Sequence, residues 1–271
     1  MREIGQERGD RVCFPPEPGS MSAKSAVCVC NLPVTDFFIM EDRTMKKLTA
    51  ILLCLVLALS LMGCGAKEEP TVTVYVTIAN AGELMVECEA VAVPVEEEGA
   101  ATTIDAVLRA AHEAFYKDGE GYKSEGSDES DMSLLKLWGE TDGWFGYYVN
   151  NASAWSLYDP VNAGDHVVAF HYKDTVAGTD IYSYFDQTSA EIAAGESLTL
   201  TLNAAGWDAD WNPLTLPVAN ADILVNGEAS GAVTAADGSA TIQLDAAGEY
   251  VISAASPEQI LVPPVCKVTV K

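Results

Sequence analysis

Basic residues are scarce in this sequence: 15 Lys and Arg stand against 40 Asp and Glu in 271 residues, a formal net charge of −25. The deficit is uneven. Residues 1–64 carry seven of each sign and cancel, so the whole negative charge falls on 65–271. Such a surface repels phosphate backbones, whose binding needs Lys and Arg to neutralise them, which excludes nucleic acid as a partner and anionic lipid held by a basic patch. Histidine is scarcer still. His112, His166 and His171 stand alone, and no HExxH, GxSxG or paired Cys/His spacing accompanies them. They are read as satisfied structural groups, with no catalytic residue, no metal ligand, no required cofactor and no enzymatic activity assigned. Asp208, Asp210 and Asn212 open like a calcium loop, but Pro213 and Ala219 occupy the sixth and twelfth positions, where glycine and glutamate are needed. The acidic stretch with Asp118, Glu120, Glu125, Asp128, Glu129 and Asp131 reads as solvated.

Long apolar runs are also missing. The one candidate, residues 48–62, falls short of the roughly 20 residues that span a bilayer. Lys46 and Lys47 precede it, and Leu61-Met62-Gly63-Cys64 follows. This arrangement resembles a bacterial lipoprotein signal. The resemblance implies cleavage before Cys64, a diacylglyceryl group on its sulfur, and a chain held on the outer face of the cell membrane by acyl chains, two of which suffice for stable anchoring. Residues 1–44 are then an upstream extension with no fold, 45–63 the signal peptide, and 64–70 the lipidated cysteine and its tether. Gly65 is not the aspartate that such families link with inner-membrane retention, so exposure outside the membrane is expected.

Cys28-Val29-Cys30 has the wrong spacing for a zinc or redox site. After processing, Cys64, Cys88 and Cys266 remain. Alternation places Leu84, Val86, Cys88, Ala90 and Ala92 on one strand face, and Cys266, Val268 and Val270 on another. Both thiols are expected in apolar cores as free cysteines, since a bridge needs Cα atoms within roughly 7 Å.

Two domains follow from the patterning. Over 71–175, TVTVYVTI alternates Val72, Val74, Val76 and Ile78 against polar residues; Asn80-Ala81-Gly82 turns the chain, and Glu83 onward returns as a second strand. A helix follows, with Ile104, Val107, Leu108, Ala111 and Phe115 as its stripe and Thr102 or Thr103 as its cap. Residues 117–133 read as a mobile loop, and two more strands close the unit. Hairpin, helix and strands in this order give an α+β, β-grasp-like domain, one helix on a small mixed sheet. The stretches TIDAVLRAA, DGWFGYYVNN and VNAGDHVVAFHY resemble a bacterial lipoprotein domain of unknown function that is similar to the C-terminal β-domain of transcobalamin and intrinsic factor. Asn151 departs from the glycine common at that position. The resemblance implies a corrinoid (cobalamin-like) ligand, captured with a partner protein because no helical barrel is present to form the other side of the site. After a short linker near 175–179, residues 181–271 carry short strands separated by Asn226-Gly227, Asp237-Gly238 and Ala247-Gly248, the pattern of a β-sandwich. VTAADGSATIQLDAAGEYVISA resembles bacterial immunoglobulin-like surface modules.

The aromatics of 143–172 carry the functional signal. Trp144, Gly146 and Tyr148 alternate against Phe145, Tyr147 and Val149. One set packs on the helix; the other meets solvent, a ligand, or a second small core built from Trp138, Trp155 and the 117–140 loop. The candidate ligand-binding residues are Trp144, Tyr147, Tyr148, Asn150 and Trp155. Two readings stand at this point: a lipid-anchored, non-catalytic binding module for a corrinoid, or a structural, adhesive surface protein facing another protein or the cell wall.

Overall fold

The computed structural model describes residues 69–126 and 131–271. The expected upstream extension, signal peptide and lipidation site at Cys64 lie outside the described residues. β1 (Thr71–Asn80) follows its alternation: Val72, Val74, Val76 and Ile78 are buried while Thr73 and Tyr75 are exposed. Ala81 and Gly82, both at positive φ, turn the chain into β2 (Glu83–Pro94), the pairing that suits a tight hairpin.

The simple alternation expected for β2 fails. Ile78 pairs with Val86 but Val76 with Glu89, so β2 carries an extra residue, and Cys88 sits there at φ 53°. Such a bulge switches the faces of the strand beyond it. Val91 and Val93, not Ala90 and Ala92, are buried with Val86.

After β3 (Thr102–Thr103), the single described helix, α1 (Ile104–Phe115), starts where Thr103 Oγ1 accepts from the Ala106 N–H at 3.2 Å. Ile104, Val107, Leu108 and Ala111 are buried as the stripe requires, but Phe115 at the helix end is exposed and His112 takes the buried position. The expected mobile loop instead contains an antiparallel ribbon, β4 (Lys123–Glu125) with β5 (Ser133–Lys136). It is tied to the helix because the Tyr122 and Ser124 hydroxyls both donate to Asp105, which also pairs with Arg109 at 3.1 Å. Burial opposes ionisation of Asp105, but those hydrogen bonds outweigh it and hold its carboxyl below the usual range.

β6 (Phe145–Val149) turns through Asn150 and Asn151, at φ 49° and 65°, into β7 (Ala152–Ser153). Asn151 thus adopts the backbone for which glycine is the usual choice. β8 (Pro160–Val161) pairs with β3, and β9 (His166–His171) runs parallel to β1 and antiparallel to β6. The sheet order is β2-β1-β9-β6-β7, with α1 across one face.

The remaining strands are β10 (Ile181–Phe185), β11 (Ser189–Ile192), β12 (Ser197–Trp207), β13 (Pro213–Pro217), β14 (Asp222–Val225), β15 (Glu228–Val233), β16 (Ser239–Gln243), β17 (Gly248–Ala255), β18 (Leu261–Val262) and β19 (Cys266–Val270). One sheet runs β13-β12-β10-β18, with β16 also on β12; the other runs β11-β19-β17-β14-β15. They enclose a core that includes Phe185, Leu200, Leu202, Ile223, Ile252 and Val268, so this half is a β-sandwich. The opening segment switches sheets, since β10 pairs parallel with β18 and β11 parallel with β19.

The second face of the β2-β1-β9-β6-β7 sheet is open at Thr73 and Tyr75 and is covered farther along by the sandwich half. Ala79, Val168 and Phe170 pack there against Tyr182 and Val262 of the sandwich half, with Tyr148 beside them. The described residues accordingly form one compact unit. The segment joining the halves is fixed by side chains: Asp174 accepts from the N–H groups of Val176 and Ala177 and from the Thr179 hydroxyl, and Asp180 accepts from the N–H groups of Lys173 and Asp174.

Gly146 permits this packing. A Cβ there would stand 2.3 Å from the Phe170 ring, so a Gly146→Ala variant forces the ring out of its seat. Urea unfolding should show a loss of about 1–3 kcal/mol, the usual scale of overpacking; unchanged stability would mean that Phe170 is not held against the strand.

Candidate functional site

With the aromatic strand packed on both faces, a concavity beside it lies at two sheet edges. β7 is the edge of one sheet and β13 the edge of another. Between them is a cleft of about 680 Å³, walled by Tyr148, Asn151, Ser153 and Trp155 on one side and by Tyr184, Trp207, Leu214 and Thr215 on the other. That size suits a small-ligand site. No charged side chain lines it among the described residues, although the chain carries −25.

Two tryptophans dominate its mouth. Trp155 is 84% exposed and Trp207 42% exposed, and their rings stand 6.4 Å apart at 57°. Both sit on fixed backbone. The loop after β7 carries Trp155 and, two residues on, the fully buried Leu157, which belongs to the helix–sheet core. The Leu157 carbonyl accepts from Asp105 N–H at 2.9 Å, and the Trp155 N–H donates to Asp159 Oδ2 at 2.8 Å. Trp207 ends β12, opposite Pro213. The following turn is closed by Asp208, whose carboxylate accepts from the N–H groups of Asp210 and Asn212 and from Asn212 Nδ2 at 2.8–2.9 Å. The calcium-like run is thus a self-capped turn, and those hydrogen bonds lower the Asp208 pKa.

The β13 edge resists pairing with a further strand. Val218 N–H donates to Leu202 and Asp208 N–H to Asn212, so with the register Ala204↔Leu216 and Gly206↔Leu214 the even-numbered residues face β12. The outward backbone positions are therefore Pro213, Thr215 and Pro217. Two of these lack an N–H, the arrangement by which edge strands escape aggregation.

Of the five residues singled out from the sequence, Tyr148, Asn150 and Trp155 line this cleft. Tyr147 lies on the opposite face, against the helix core. Trp144, 57% exposed, packs near Gly178 and is not part of the lining. Asn150 is committed to structure: its Nδ2 donates to Asp165 at 2.8 Å and its Oδ1 accepts from the His166 N–H at 2.9 Å. Burial resists charge on Asp165, yet its bonds from Asn150 and Asn162 lower its pKa. Asn151, whose Oδ1 accepts from the Tyr182 hydroxyl at 2.8 Å, and Trp207, Tyr184 and Leu214 were not expected at a site. They lie at least 30 residues away in the chain from the aromatic strand or, for Asn151, read only as a turn residue. Trp207 beside a turn was the one signal available.

The histidines are satisfied. His112 is fully buried, its Nδ1 2.6 Å from the Leu108 carbonyl and its Nε2 accepting from the Trp138 N–H at 3.0 Å. His171 Nδ1 and Nε2 meet Asn80 Oδ1 and the Asp142 carbonyl. His166 Nε2 lies 2.8 Å from Thr77 Oγ1, which itself accepts from the Cys88 N–H. Both cysteines are free and buried. Cys266 lies in the sandwich core, where burial pushes its thiol up to about 12. Cys88, expected in an apolar core, instead borders a groove with Tyr75, His166 and Lys267, a consequence of the bulge. No group of three or more His, Cys, Asp or Glu suited to a metal ion occurs among the described residues.

No family model matches the chain, and no curated protein matches it. Solved structures similar to it include the fibronectin(III)-like modules of Clostridium thermocellum CbhA, at 14% identity over 76% of this chain and 92% of that one, with a TM-score of 0.25. The tandem Ig repeats of Dlar match at 13% identity over 74% and 95%, with a TM-score of 0.25. The N-terminal four Ig domains of Dscam1 isoform 6.9 match at 11% identity over 73% and 44%, with a TM-score of 0.23, so this chain spans less than half of that structure. Scores this low say nothing about function, and the strand order above stands without them.

Burial lowers the pKa of His166 from 6.5 to about 4. Across that window the unfolded chain takes up a proton that the folded ring refuses, so stability present above pH 6.5 falls as the pH drops towards 4, by on the order of 3 kcal/mol. His112, whose pKa burial also lowers, acts in the same direction. Denaturant melts at stepped pH should show this acid limb, and His166→Gln should flatten it. An identical limb in the variant would mean that the ring accepts a proton in the folded state without cost.

Proposed function

We propose that residues 64–271 form a non-catalytic extracellular module of the structural or adhesive kind, attached to the outer face of a bacterial membrane through a lipid on Cys64 and holding a partner at the β7–β13 cleft. The observation that carries this reading is the cleft: two exposed tryptophans on braced backbone, set between sheet edges of a single compact unit. The remaining large aromatics of the central strand are engaged in packing. Mixed order β2-β1-β9-β6-β7 with one helix supports a β-grasp-like first domain over 71–175, and the sheet-switching opening strands support an immunoglobulin-like sandwich over 181–271. The Lys46-Lys47, apolar run and Leu61–Cys64 box support the anchor.

A corrinoid is the second reading, favoured by the presence of Tyr148, Asn150 and Trp155 at the cleft. Against it stand the separation of Trp144 and Tyr147 from that lining and the 57° angle between the two tryptophan rings, which offer no common platform to a flat macrocycle.

The test is attachment of purified protein to isolated cell-wall sacculi and to intact bacterial cells, compared with a Trp155→Ala/Trp207→Ala variant, alongside titration with cyanocobalamin followed by absorbance. The adhesive reading expects attachment that the double variant loses, with no cobalamin spectral change. Attachment equal in both proteins, or none in either, would remove the cleft from the function.

A further inference from the structure

We propose that the β7–β13 cleft is a binding site for a neutral saccharide chain; this deepens the adhesive reading above and rests on it. Three features of the cleft select that chemistry. The first is charge. Among the described residues the lining is wholly uncharged, while the chain around it is strongly acidic, so an anionic ligand is repelled on approach and a cationic one finds no counter-charge inside. The occupant is neutral.

The second is the pairing of apolar ring faces with a polar rim. A pyranose presents axial C–H bonds on its faces and hydroxyls around its edge, and thus fits an indole face with hydrogen-bonding groups beside it. The cleft supplies both. Trp155 and Trp207 provide exposed faces. Thr215 Oγ1 and the Tyr184 hydroxyl, 3.0 Å apart, share one hydrogen bond and keep capacity for others. A lipid chain would leave that remaining capacity unmet. An extended peptide would find only one backbone donor on the outward side of β13, the Thr215 N–H, because Pro213 and Pro217 have none to give.

The third is angle. The tryptophan rings are 6.4 Å apart and inclined by 57°. One flat ligand cannot lie on both, but successive sugars of a glycan are rotated about their linkages and can meet two inclined faces in turn. The rigidity of both supports, the Leu157-anchored loop and the Asp208-closed turn, keeps this angle before the ligand arrives, which reduces the ordering cost of binding.

Tryptophan fluorescence and calorimetry with uncharged hexasaccharides test this: cellohexaose, xylohexaose, mannohexaose and chitohexaose, with an oligogalacturonate as the anionic control and cyanocobalamin as the rival ligand. At least one neutral hexasaccharide should bind saturably and the oligogalacturonate should not. Trp155→Ala and Trp207→Ala should each weaken binding by about tenfold or more, the scale of losing a central aromatic contact. Trp211→Ala, which removes an exposed ring outside the cleft, should leave affinity unchanged. Because all three rings are exposed, unaltered melting temperatures confirm that the variants fold. No binding by any neutral sugar, binding insensitive to both cleft variants, or a response to cyanocobalamin alone would each overturn the proposal. If sugars fail while the double variant still loses attachment to sacculi or cells, the adhesive reading survives with a different occupant; if attachment is also insensitive, both fall together.

Discussion

The rest of the structure depends on one aromatic stack. Tyr182, on the first strand of the sandwich, lies on Tyr148 of the central strand with ring centroids 3.7 Å apart and planes within 10°. Phe170 and Tyr184 continue the layer on either side of Tyr182, at 6.2 and 5.8 Å. A small sheet with a helix on one face has a second apolar face to hide, and here the sandwich half hides it. The buried Tyr182 hydroxyl, which would be costly to leave unpaired, donates to Asn151 in the β6–β7 turn. The Lys267–Glu89 pair, 2.7 Å apart, adds a second crossing between the halves, but both side chains are more than a third exposed and such pairs contribute little.

That stack decides what the aromatics are for. Had the second face been open, Trp144, Gly146 and Tyr148 would have been its surface. With Tyr182 over Tyr148 and Phe170 seated over Gly146, the middle of the strand is engaged in packing, and a concavity is left at the rim, where β7 and β13 end their sheets. The braced Trp155 and Trp207 are products of the same arrangement: one follows β7, which pairs with the strand that carries Tyr148, and the other ends β12, which pairs with the strand carrying Tyr182.

Much of the fold was legible because its signals are local. Alternation in β1, the helical stripe from Ile104 to Ala111, the Thr103 cap, and the Asn-Gly and Asp-Gly turns each need only a few neighbouring residues to be read. What escaped the sequence depends on contacts between distant residues. The bulge at Cys88, which moves Val91 and Val93 to the inside, shows itself only in the register against β1. Phe115 fits the helical period but, as the last residue of the helix, stays exposed. The ribbon of β4 and β5 is held by Asp105, a residue that reads as an ordinary helix-start acid. For the site, the faces of β6 were read correctly from alternation, yet not what covered them, since nothing local in the Ile181–Phe185 stretch announces that Tyr182 will lie on Tyr148. Trp207 and Leu214 enter the cleft for the same reason, brought there by how the halves pack.

A double-mutant cycle on Tyr148 and Tyr182 tests the central claim most directly. Urea unfolding of the wild-type protein, Tyr148→Ala, Tyr182→Ala and the double variant yields their coupling free energy. If the stack closes the sheet as described, the losses are non-additive by about 0.5–1.5 kcal/mol, the range for interacting aromatic pairs. Additive losses would mean that the two rings do not meet, and that the aromatic face of the sheet is open after all.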